Sequence, residues 1–339
     1  MTILVTGGAG YIGSHTVHEL TGAGEQVVVL DNLSTGFRFA LPGNVPLTVG
    51  DAGDEKLVAA LIARHDVKAI IHFAGSIVVP DSIADPLGYY HNNTATSRAL
   101  IDVAVKNGVQ HFVFSSTAAI YGDQNKTPIH EDDAKTPLSP YGWSKLMTEV
   151  MLRDAGQAHG LRHAILRYFN VAGADPKLRS GQSTATATHL IKLAAQAAIG
   201  LRPMLSVFGT DYPTPDGTCI RDYIHVTDLA RAHLSALRYL RAGGGSNTFN
   251  CGYGRGSSVL EVIDAIRRVS GLSLTVDYAG RRPGDPACLV ADVTRVRAAF
   301  DWTPDYDNLD LIVAHALAWE IRLAAHPENP ASRAPGVAA

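Results

Sequence analysis

Short apolar runs rich in β-branched residues alternate, along the first half of the chain, with longer segments in which apolar residues recur at helical spacing. The runs predict strands at residues 3–6, 26–30, 46–49, 69–73, 111–115 and 163–168, and the longer segments predict helices at 11–23, 54–65, 86–107 and 142–159. Strands that are apolar throughout are buried on both faces, as in a parallel sheet covered by helices. The alternation therefore predicts an α/β fold with a doubly wound parallel sheet and right-handed crossovers.

The pattern changes after residue 170. Loops become longer and carry proline, glycine and aspartate, as in residues 209–217, and the strand-like runs become shorter. This change predicts a smaller C-terminal α/β lobe that would hold a substrate. The predicted organisation is a first domain at 1–170, a second lobe at 171–330 from which 226–252 return to the first sheet, and a flexible tail at 331–339.

Composition and charge exclude several classes of protein. A hydrophobic content of 46% and a net charge of −3 are typical of a globular protein without a basic surface for nucleic acid or an anionic membrane. No apolar run approaches the ~18 residues of a membrane span, and we expect no signal peptide before the first strand. Cys219, Cys251 and Cys288 are odd in number and lack CxxC spacing, so we expect no disulfide, no metal site and a cytoplasmic location.

A glycine-rich segment lies between the first strand and the first helix. Residues 6–13 fit G-x-x-G-x-x-G at Gly7, Gly10 and Gly13, and also the related pattern that begins at Gly8. Glycines permit a tight turn and let the backbone approach a pyrophosphate, which the helix N-terminus then binds through free N–H groups. Glycines also end strands for purely structural reasons, so the match needs its context.

An acidic residue supplies that context. Asp31 ends the second predicted strand, 18 residues after Gly13, near the spacing of a carboxylate that binds the adenosine ribose hydroxyls of a dinucleotide. A carboxylate there would repel a 2′-phosphate, which favours NAD over NADP, although the nearby Arg38 leaves NADP open. We therefore predict that residues 1–170 form a Rossmann-type domain that binds NAD.

A tyrosine and a lysine four residues apart form the second motif. Tyr141 and Lys145 share a helix face, and they follow a strand that ends at Thr117, where α/β sheets bind ligands. Free tyrosine has a pKa near ~10, so a base near neutrality needs a fall of ~3 units, about 4 kcal/mol. The Lys145 ammonium and the positive nicotinamide ring could supply it, and the Thr117 hydroxyl could relay the proton.

These motifs resemble the extended short-chain dehydrogenase/reductase superfamily and, within it, the UDP-glucose 4-epimerase family. The resemblance covers about residues 1–325 and rests on the segments 6–15, 30–33, 71–75, 89–93, 114–123, 139–145, 166–170, 208–212, 216–226 and 281–285. It implies a tightly bound NAD that is not consumed, a UDP-sugar substrate and inversion at C4 through a 4-keto intermediate. It also implies a role in galactose metabolism and a homodimer formed through the 86–107 and 142–159 helices.

The resemblance also assigns residues to each part of the site. The catalytic residues would be Tyr141, Lys145 and Thr117. The cofactor contacts would be Gly7, Gly10, Tyr11, Ile12, Gly13, Asp31, Asn32, Asp51, Ala52, Phe73, Ala74, Asn92, Tyr141, Lys145 and Phe169. The substrate contacts would be Thr117, Asn170, His189, Leu190, Phe208, Arg221, Arg282 and Asp285.

The chemistry of the substrate set is consistent with a nucleotide sugar. Arg221 and Arg282 can each bind phosphate oxygens through two N–H groups, and Asp285 can accept from ribose hydroxyls. The plainer alternative is that Arg221 and Asp222 form a structural salt bridge. His189 could equally have no role, and Phe208 could pack rather than stack on uracil.

Two buried histidines and three departures from the family pattern complete the predictions. His72 and His225 are expected to be hydrogen-bonded core residues. Thr117 replaces the usual serine, Ile77 stands where many relatives have a lysine, and Leu289 occupies the position that limits the sugar. Leucine is intermediate in size there, so UDP-N-acetylglucosamine and UDP-xylose remain open as substrates.

Two other functions remain as alternatives. A sugar-nucleotide dehydratase would need an acidic pair after Thr117, where this chain has Ala118 and Ala119. A non-catalytic NAD-sensing module would be expected to lack Tyr141 or Lys145. Both residues are present, so we expect an enzyme.

Overall fold

The elements of the first half alternate between strand and helix, as predicted. The computed structural model describes residues 1–124, 126–282 and 285–326. The elements are β1 (Thr2–Thr6), α1 (Tyr11–Gly22), β2 (Gln26–Asp31), β3 (Leu47–Val49), α2 (Glu55–His65), β4 (Val67–His72), α3 (Val79–Ala84), α4 (Pro86–Tyr89), α5 (Thr96–Lys106), β5 (His111–Thr117), α6 (Pro140–His159) and β6 (Arg162–Tyr168). Short 3-10 turns lie at Arg38–Ala40 and Ala118–Ile120.

The second half has shorter strands. Its elements are β7 (Asn170–Ala172), α7 (Leu190–Ala198), β8 (Leu205–Phe208), β9 (Ile220–Arg221), β10 (Tyr223–His225), α8 (Val226–Arg241), β11 (Asn247–Cys251), β12 (Ser257–Ser258), α9 (Val259–Ser270), β13 (Val276–Ala279), β14 (Cys288–Leu289), α10 (Thr294–Ala299) and α11 (Leu309–Ala324). The division of the chain at residue 170 stays a prediction, and the predicted tail at 331–339 lies outside the described residues.

Seven parallel strands form the central sheet, in the order β11-β6-β5-β4-β1-β2-β3. The order reverses direction at β1, as in a doubly wound sheet, so the predicted fold class is confirmed. Strand β11 comes from the second half of the chain and pairs with β6 at the sheet edge.

Both faces of the sheet are covered, which explains the continuous apolar strands. Ile3 and Val5 of β1 point into one core cluster, while Leu4 between them points into the other. Helices α1 and α8 pack on the first face, and α2, α5 and α6 contribute to the core of the second. Successive residues of a strand point to opposite faces, so strands buried on both faces need apolar residues at every position.

One helical prediction differs from the structure. The segment 86–107 was expected to be a single helix, but a π-helical stretch at Tyr90–Ala95 separates α4 from α5. Within it, Asn93 is buried and bonds three groups outside the helix: Ser76 N at 2.7 Å, Ser76 O at 3.0 Å and Ser144 Oγ at 2.9 Å. A local widening of this kind often occurs at functional sites, and here it joins the chain after β4 to α6.

Small sheets organise the second half. Strands β7 and β10 pair in parallel, β9 lies between β12 and β14, and β8 pairs with β13. Helices α7, α9 and α11 pack against one another beside them. These strands have two to four residues, too few for a clear periodic signal in the sequence.

A buried carboxylate joins these small sheets to the main one. Asp222, between β9 and β10, is fully buried and accepts hydrogen bonds from Tyr253 N at 2.8 Å, Gly254 N at 3.0 Å and Ala291 N at 3.2 Å. Its own backbone bonds Asn170 and Leu289. Burial raises the pKa of Asp222 to about 6, against the lowering effect of these three N–H donors.

We expect Asp222→Ala to lower the free energy of unfolding by about 3 kcal/mol, because it leaves three backbone N–H groups unpaired, two of them buried. Asp277→Ala, at an exposed position of β13, is the matched control and should change stability by less than about 0.5 kcal/mol. Chemical denaturation of both variants measures the difference. Equal stabilities of the two variants would contradict the role given to Asp222.

Candidate active site

The glycine turn between β1 and α1 has no room for side chains. Gly7 has a positive φ of 69°, and a Cβ there would lie 2.5 Å from the backbone nitrogen of Ala74, in the loop after β4. A Cβ on Gly13 would lie 2.2 Å from the Gly7 carbonyl oxygen. The turn is therefore a surface of bare backbone, which fits the close approach of a pyrophosphate.

The N-terminus of α1 is free to bind an anion. Gly10 is the N-cap residue, in an extended conformation, and among the described residues no side chain makes a capping hydrogen bond there. The first turn also contains no acidic residue. The N–H groups of Tyr11, Ile12 and Gly13 therefore face the turn with the positive end of the helix dipole, as phosphate binding requires.

Asp31 ties the glycine turn to the loop after β2. Its Oδ2 accepts from Ala9 N at 2.9 Å and its Oδ1 from Leu33 N at 2.8 Å. Burial raises the pKa of Asp31, while these two hydrogen bonds lower it. Each carboxylate oxygen keeps a second lone pair for a ribose hydroxyl. Arg38 lines a surface groove with Arg64 and His65.

The other predicted cofactor residues lie along the carboxyl edge of the sheet. Phe73 N and Ala74 N both donate to Thr6 O, at 2.9 and 3.2 Å, which holds the loop after β4 against the glycine turn. Asn92 Nδ2 donates to Ser76 Oγ at 2.8 Å in the same loop. The remaining members follow β2, β3 and β6, and they are Asn32, Asp51, Ala52 and Phe169.

Thr117 and Tyr141 come together where β5 ends and α6 begins. Thr117 is the last residue of β5, and its Oγ1 accepts from Ala119 N at 3.1 Å. Ser139 caps α6 by accepting from Gly142 N at 3.2 Å, and Pro140 occupies the first helical position, which places Tyr141 in the first turn. Tyr141 is only 7% exposed.

The phenol of Tyr141 is neutral at pH 7 in this environment. Burial raises the pKa of Tyr141 to about 12, a side-chain hydrogen bond with Thr117 lowers it, and the nearby Tyr89 adds to the rise. The sequence-based expectation of a lowered pKa is therefore not met by the protein alone. A base near neutrality needs further positive charge beside the ring.

Lys145 is a buried cation one helical turn after Tyr141. Its side chain is 3% exposed, its Nζ donates to Ser115 O at 3.1 Å, and it lies 5.0 Å from the centre of the Phe114 ring. Burial lowers the pKa of Lys145 to about 8, and the Glu149 carboxylate opposes this fall. Near neutrality Lys145 is thus an ammonium whose charge is easily changed by its neighbours.

Four predicted substrate residues meet in the second half. Arg221 Nη2 lies 3.6 Å from Asp285 Oδ1, and the Arg282 guanidinium stacks 3.7 Å from the centre of the Phe208 ring. Asp285 N donates to Arg282 O at 3.3 Å and joins the two pairs. The plainer alternative, a salt bridge between Arg221 and Asp222, is wrong, because the Asp222 carboxylate is used by three backbone N–H groups.

Asn170 and the start of α7 surround a small cavity beside Tyr11. Its volume is about 30 Å³, and its lining also includes His189, Leu190, Lys192 and Glu320. His189 Nδ1 has no hydrogen-bond partner among the described residues, and burial lowers the pKa of His189 to about 4. His189 is therefore a neutral ring with one free nitrogen.

Leu289, at the position expected to limit the sugar, and Ile77 differ in burial. Leu289 is half-buried on β14, directly beside Arg221 on β9, while Ile77 is exposed.

The prediction that His72 and His225 are hydrogen-bonded core residues is confirmed. His72 bonds the hydroxyls of Thr6 and Ser97, and His225 bonds Thr227 N and the ring of His315.

Two buried ion pairs next to the site were not foreseen. Glu149 on α6 pairs with Arg167 on β6 at 2.6 Å, and Lys192 on α7 pairs with Glu320 on α11 at 2.6 Å. Only Glu149 gave a usable signal in the sequence, because it lies four residues after Lys145 and so shares its helix face.

Comparison with known proteins gives three findings. Residues 3–252 match the family described as the NAD dependent epimerase/dehydratase family. A UDP-glucose 4-epimerase from Azospirillum brasilense is 59% identical over 318 residues, which cover 94% of this chain and 91% of that protein. The match to the crystal structure of UDP-glucose 4-epimerase from Brucella ovis in complex with NAD has a TM-score of 0.91 at 44% identity, and covers 94% and 97% of the two chains.

A further solved structure bears on the sugar. The UDP-Glc/GlcNAc 4-epimerase from Campylobacter jejuni matches with a TM-score of 0.84 at 47% identity, and the match covers 95% of this chain and 99% of that one.

We expect Gly7→Ala to be much more destabilising than Gly24→Ala. Both positions have positive φ, which costs an alanine about 1–2 kcal/mol. Nothing lies within 4 Å of a Cβ on Gly24, whereas a Cβ on Gly7 meets backbone atoms at 2.5–2.8 Å. Chemical denaturation should therefore show a further loss of about 1–3 kcal/mol for Gly7→Ala. Equal losses would mean that the turn is not closely packed.

Proposed function

This chain belongs to the NAD dependent epimerase/dehydratase family, and we propose that it is an isomerase that reversibly inverts C4 of a UDP-hexose, converting UDP-galactose and UDP-glucose into one another. The observation that carries the proposal is the meeting of Thr117, Tyr141 and Lys145 at the edge of the sheet that also holds the bare glycine turn. A proton acceptor and a dinucleotide site in one place suit hydride transfer.

NAD would lie along the carboxyl edge of the sheet. The backbone at Gly7 and Gly13 and the free N–H groups of α1 would hold its diphosphate, and Asp31 would accept from the adenosine ribose. The chemistry that bound NAD supplies is acceptance of the C4 hydride and its return to the opposite face of the sugar. Oxidised NAD also brings a positive ring.

Tyr141 would be the base that takes the proton from the C4 hydroxyl. Moving its pKa from about 12 to near neutrality requires about 7 kcal/mol of added stabilisation for the phenolate. The buried Lys145 ammonium and the positive nicotinamide ring are the two cations available. Thr117 would orient the same hydroxyl and share its proton.

The substrate residues would hold the UDP part firmly and the sugar loosely. Arg221 and Arg282 would bind phosphate oxygens, Asp285 a ribose hydroxyl and Phe208 the uracil face. A 4-keto sugar could then rotate about its bond to the diphosphate and present its other face. Asn170, His189 and Leu190, at the start of β7 and α7, would complete the diphosphate contacts.

A wider sugar range is the second candidate. Leu289 is half-buried beside Arg221. By the family resemblance this position often holds tyrosine or cysteine, and leucine is intermediate in size between them. A relative that is 47% identical is named for both UDP-glucose and UDP-N-acetylglucosamine. Epimerisation of UDP-N-acetylglucosamine or UDP-xylose is therefore an outcome to be tested beside the main one.

A homodimer through α6 is the predicted assembly. Trp143, Met147 and Val150 lie at helical spacing on one stripe of α6 and are 42%, 40% and 38% exposed. Such a stripe is more apolar than a helix surface facing water normally is.

All three cysteines are free, which is consistent with the cytoplasmic location that we propose. No helix of the described residues is long and apolar enough to cross a membrane.

We expect the purified protein to convert UDP-galactose to UDP-glucose without releasing NADH. Tyr141→Phe should keep NAD but lose at least about 100-fold in turnover, because the proton acceptor is removed. Tyr278→Phe, the same substitution at an exposed position of β13, is the matched control. Nucleotide-sugar chromatography and absorbance of free NADH measure both, with UDP-N-acetylglucosamine and UDP-xylose in parallel. Accumulating NADH, or an active Tyr141→Phe, would contradict the proposal.

We expect Trp143→Glu to shift the protein from dimer to monomer, because it replaces the largest side chain of the apolar stripe with a charge. Leu272→Glu, at an exposed position after α9, should leave the assembly unchanged. Light scattering coupled to size-exclusion chromatography gives the mass of each. A wild-type monomer, or a Trp143→Glu dimer, would exclude this interface.

A further inference from the structure

Glu149 is a buried carboxylate with a fixed orientation. It lies one helical turn after Lys145 on α6 and is 5% exposed. Its Oε1 accepts from Ser116 Oγ at 2.5 Å and from Arg167 Nε at 3.0 Å, and its Oε2 accepts from Arg167 Nη2 at 2.6 Å. Three charge-assisted bonds leave this side chain little freedom.

Arg167 is itself held from the opposite side. Its Nη1 donates to the Tyr121 hydroxyl at 2.9 Å and to the Glu131 carbonyl at 2.8 Å. Tyr121 then donates to Asn250 Oδ1 at 2.6 Å. The pair thus joins α6 to β6 and, through Asn250, to β11 at the sheet edge.

This network lies directly behind the proton-transfer residues. Ser116 precedes Thr117, and Arg167 precedes Tyr168, whose hydroxyl shares a 2.5 Å hydrogen bond with Ser115 Oγ. The Ser115 carbonyl in turn accepts from Lys145. Strand β5 therefore binds Lys145 through the Ser115 carbonyl and Glu149 through the Ser116 hydroxyl.

The groups that face Lys145 from β4, β5 and the π-helical stretch are uncharged. Strand β5 presents the Phe114 ring and the Ser115 carbonyl, and the π-helical stretch presents the neutral side chain of Asn93 near Gly75. From β4 comes His72, which is neutral because burial, and then Lys145 itself, lowers the pKa of His72 to about 3.

Two hydroxyls and two charges complete the surroundings of Lys145. Tyr141 on the same helix and Tyr168 on β6 are both phenols kept neutral near pH 7 by burial, which raises the pKa of each. Glu149 and Arg167 are the charged groups, and Glu149 is the one whose carboxylate acts on Lys145.

We propose that Glu149, held in place by Arg167 and Ser116, is a positioning residue that fixes α6 against β5 and β6 behind Tyr141 and holds a negative charge one helical turn from Lys145. This inference rests on the proposed function. Arg167 is needed because a lone carboxylate at this depth would tend to take up a proton and lose its effect. The pair is thus an electrostatic support for a lysine whose pKa is lowered by burial.

The test compares two variants that both lack the Glu149 carboxylate but are expected to differ in stability. Glu149→Gln leaves Arg167 buried without its partner, so the protein should melt at a lower temperature. Glu149→Gln with Arg167→Met removes both charges and should recover most of that loss. Tyr121→Phe, which removes a hydroxyl from the network without changing any charge, is the control.

The main readout is the titration of Lys145 itself. The chain has eight lysines, so NMR of the NAD-bound protein with ¹³C at lysine Cε can follow each, and Lys145→Met identifies the signal. Glu149→Gln, which leaves the Arg167 cation unopposed, should lower the titration midpoint of Lys145 by about one pH unit or more. The double variant, which removes both charges, should lower the midpoint by less, and Tyr121→Phe should leave it unchanged. The alkaline fall in kcat should move to lower pH by the same amount, with KM little changed.

The outcomes separate the possible failures. If both the Lys145 midpoint and the melting temperature return to their wild-type values in the double variant, the pair is purely structural and the inference is overturned. An unchanged midpoint in Glu149→Gln would also overturn it. A wild-type protein that fails to interconvert UDP-galactose and UDP-glucose would instead overturn the proposed function.

Discussion

Burial of Tyr141 and Lys145 at the carboxyl edge of the sheet is the constraint on which the rest of the site depends. Burial keeps water away from the reacting sugar, but it also raises the pKa of the phenol to about 12 and lowers that of the ammonium to about 8. Both effects oppose the charge states that proton transfer needs. The surrounding structure supplies what offsets them, through Thr117, the buried Glu149–Arg167 pair and a site for a cationic cofactor.

Much of the fold could be predicted because its central strands are buried on both faces. That burial demands continuous apolar runs, which are easy to read in a sequence. The π-helical stretch before α5 could not be predicted, because it is stabilised by Asn93 bonding the chain after β4 and not by any local pattern. The short strands of the second half could not be predicted either, because strands such as Ile220–Arg221 have too few residues to show a period.

Some parts of the candidate site could be predicted and others could not, depending on how far apart in the sequence the interacting residues are. The glycine turn and Asp31 are near in sequence, and the structure joins them through Ala9. Partners distant in sequence were misjudged: Arg221 was weighed against its neighbour Asp222, but the structure pairs it with Asp285. Glu149 and Arg167 are 18 positions apart, and only the packing of α6 on the sheet creates their contact.

The central claim is that the C4 hydrogen of the sugar leaves and returns within one active site. The most direct test uses UDP-galactose carrying deuterium at C4, with mass spectrometry and NMR of the UDP-glucose formed in ordinary water. The account predicts inverted configuration with the deuterium retained at C4. Loss of the deuterium to solvent, or turnover that leaves C4 uninverted, would contradict it.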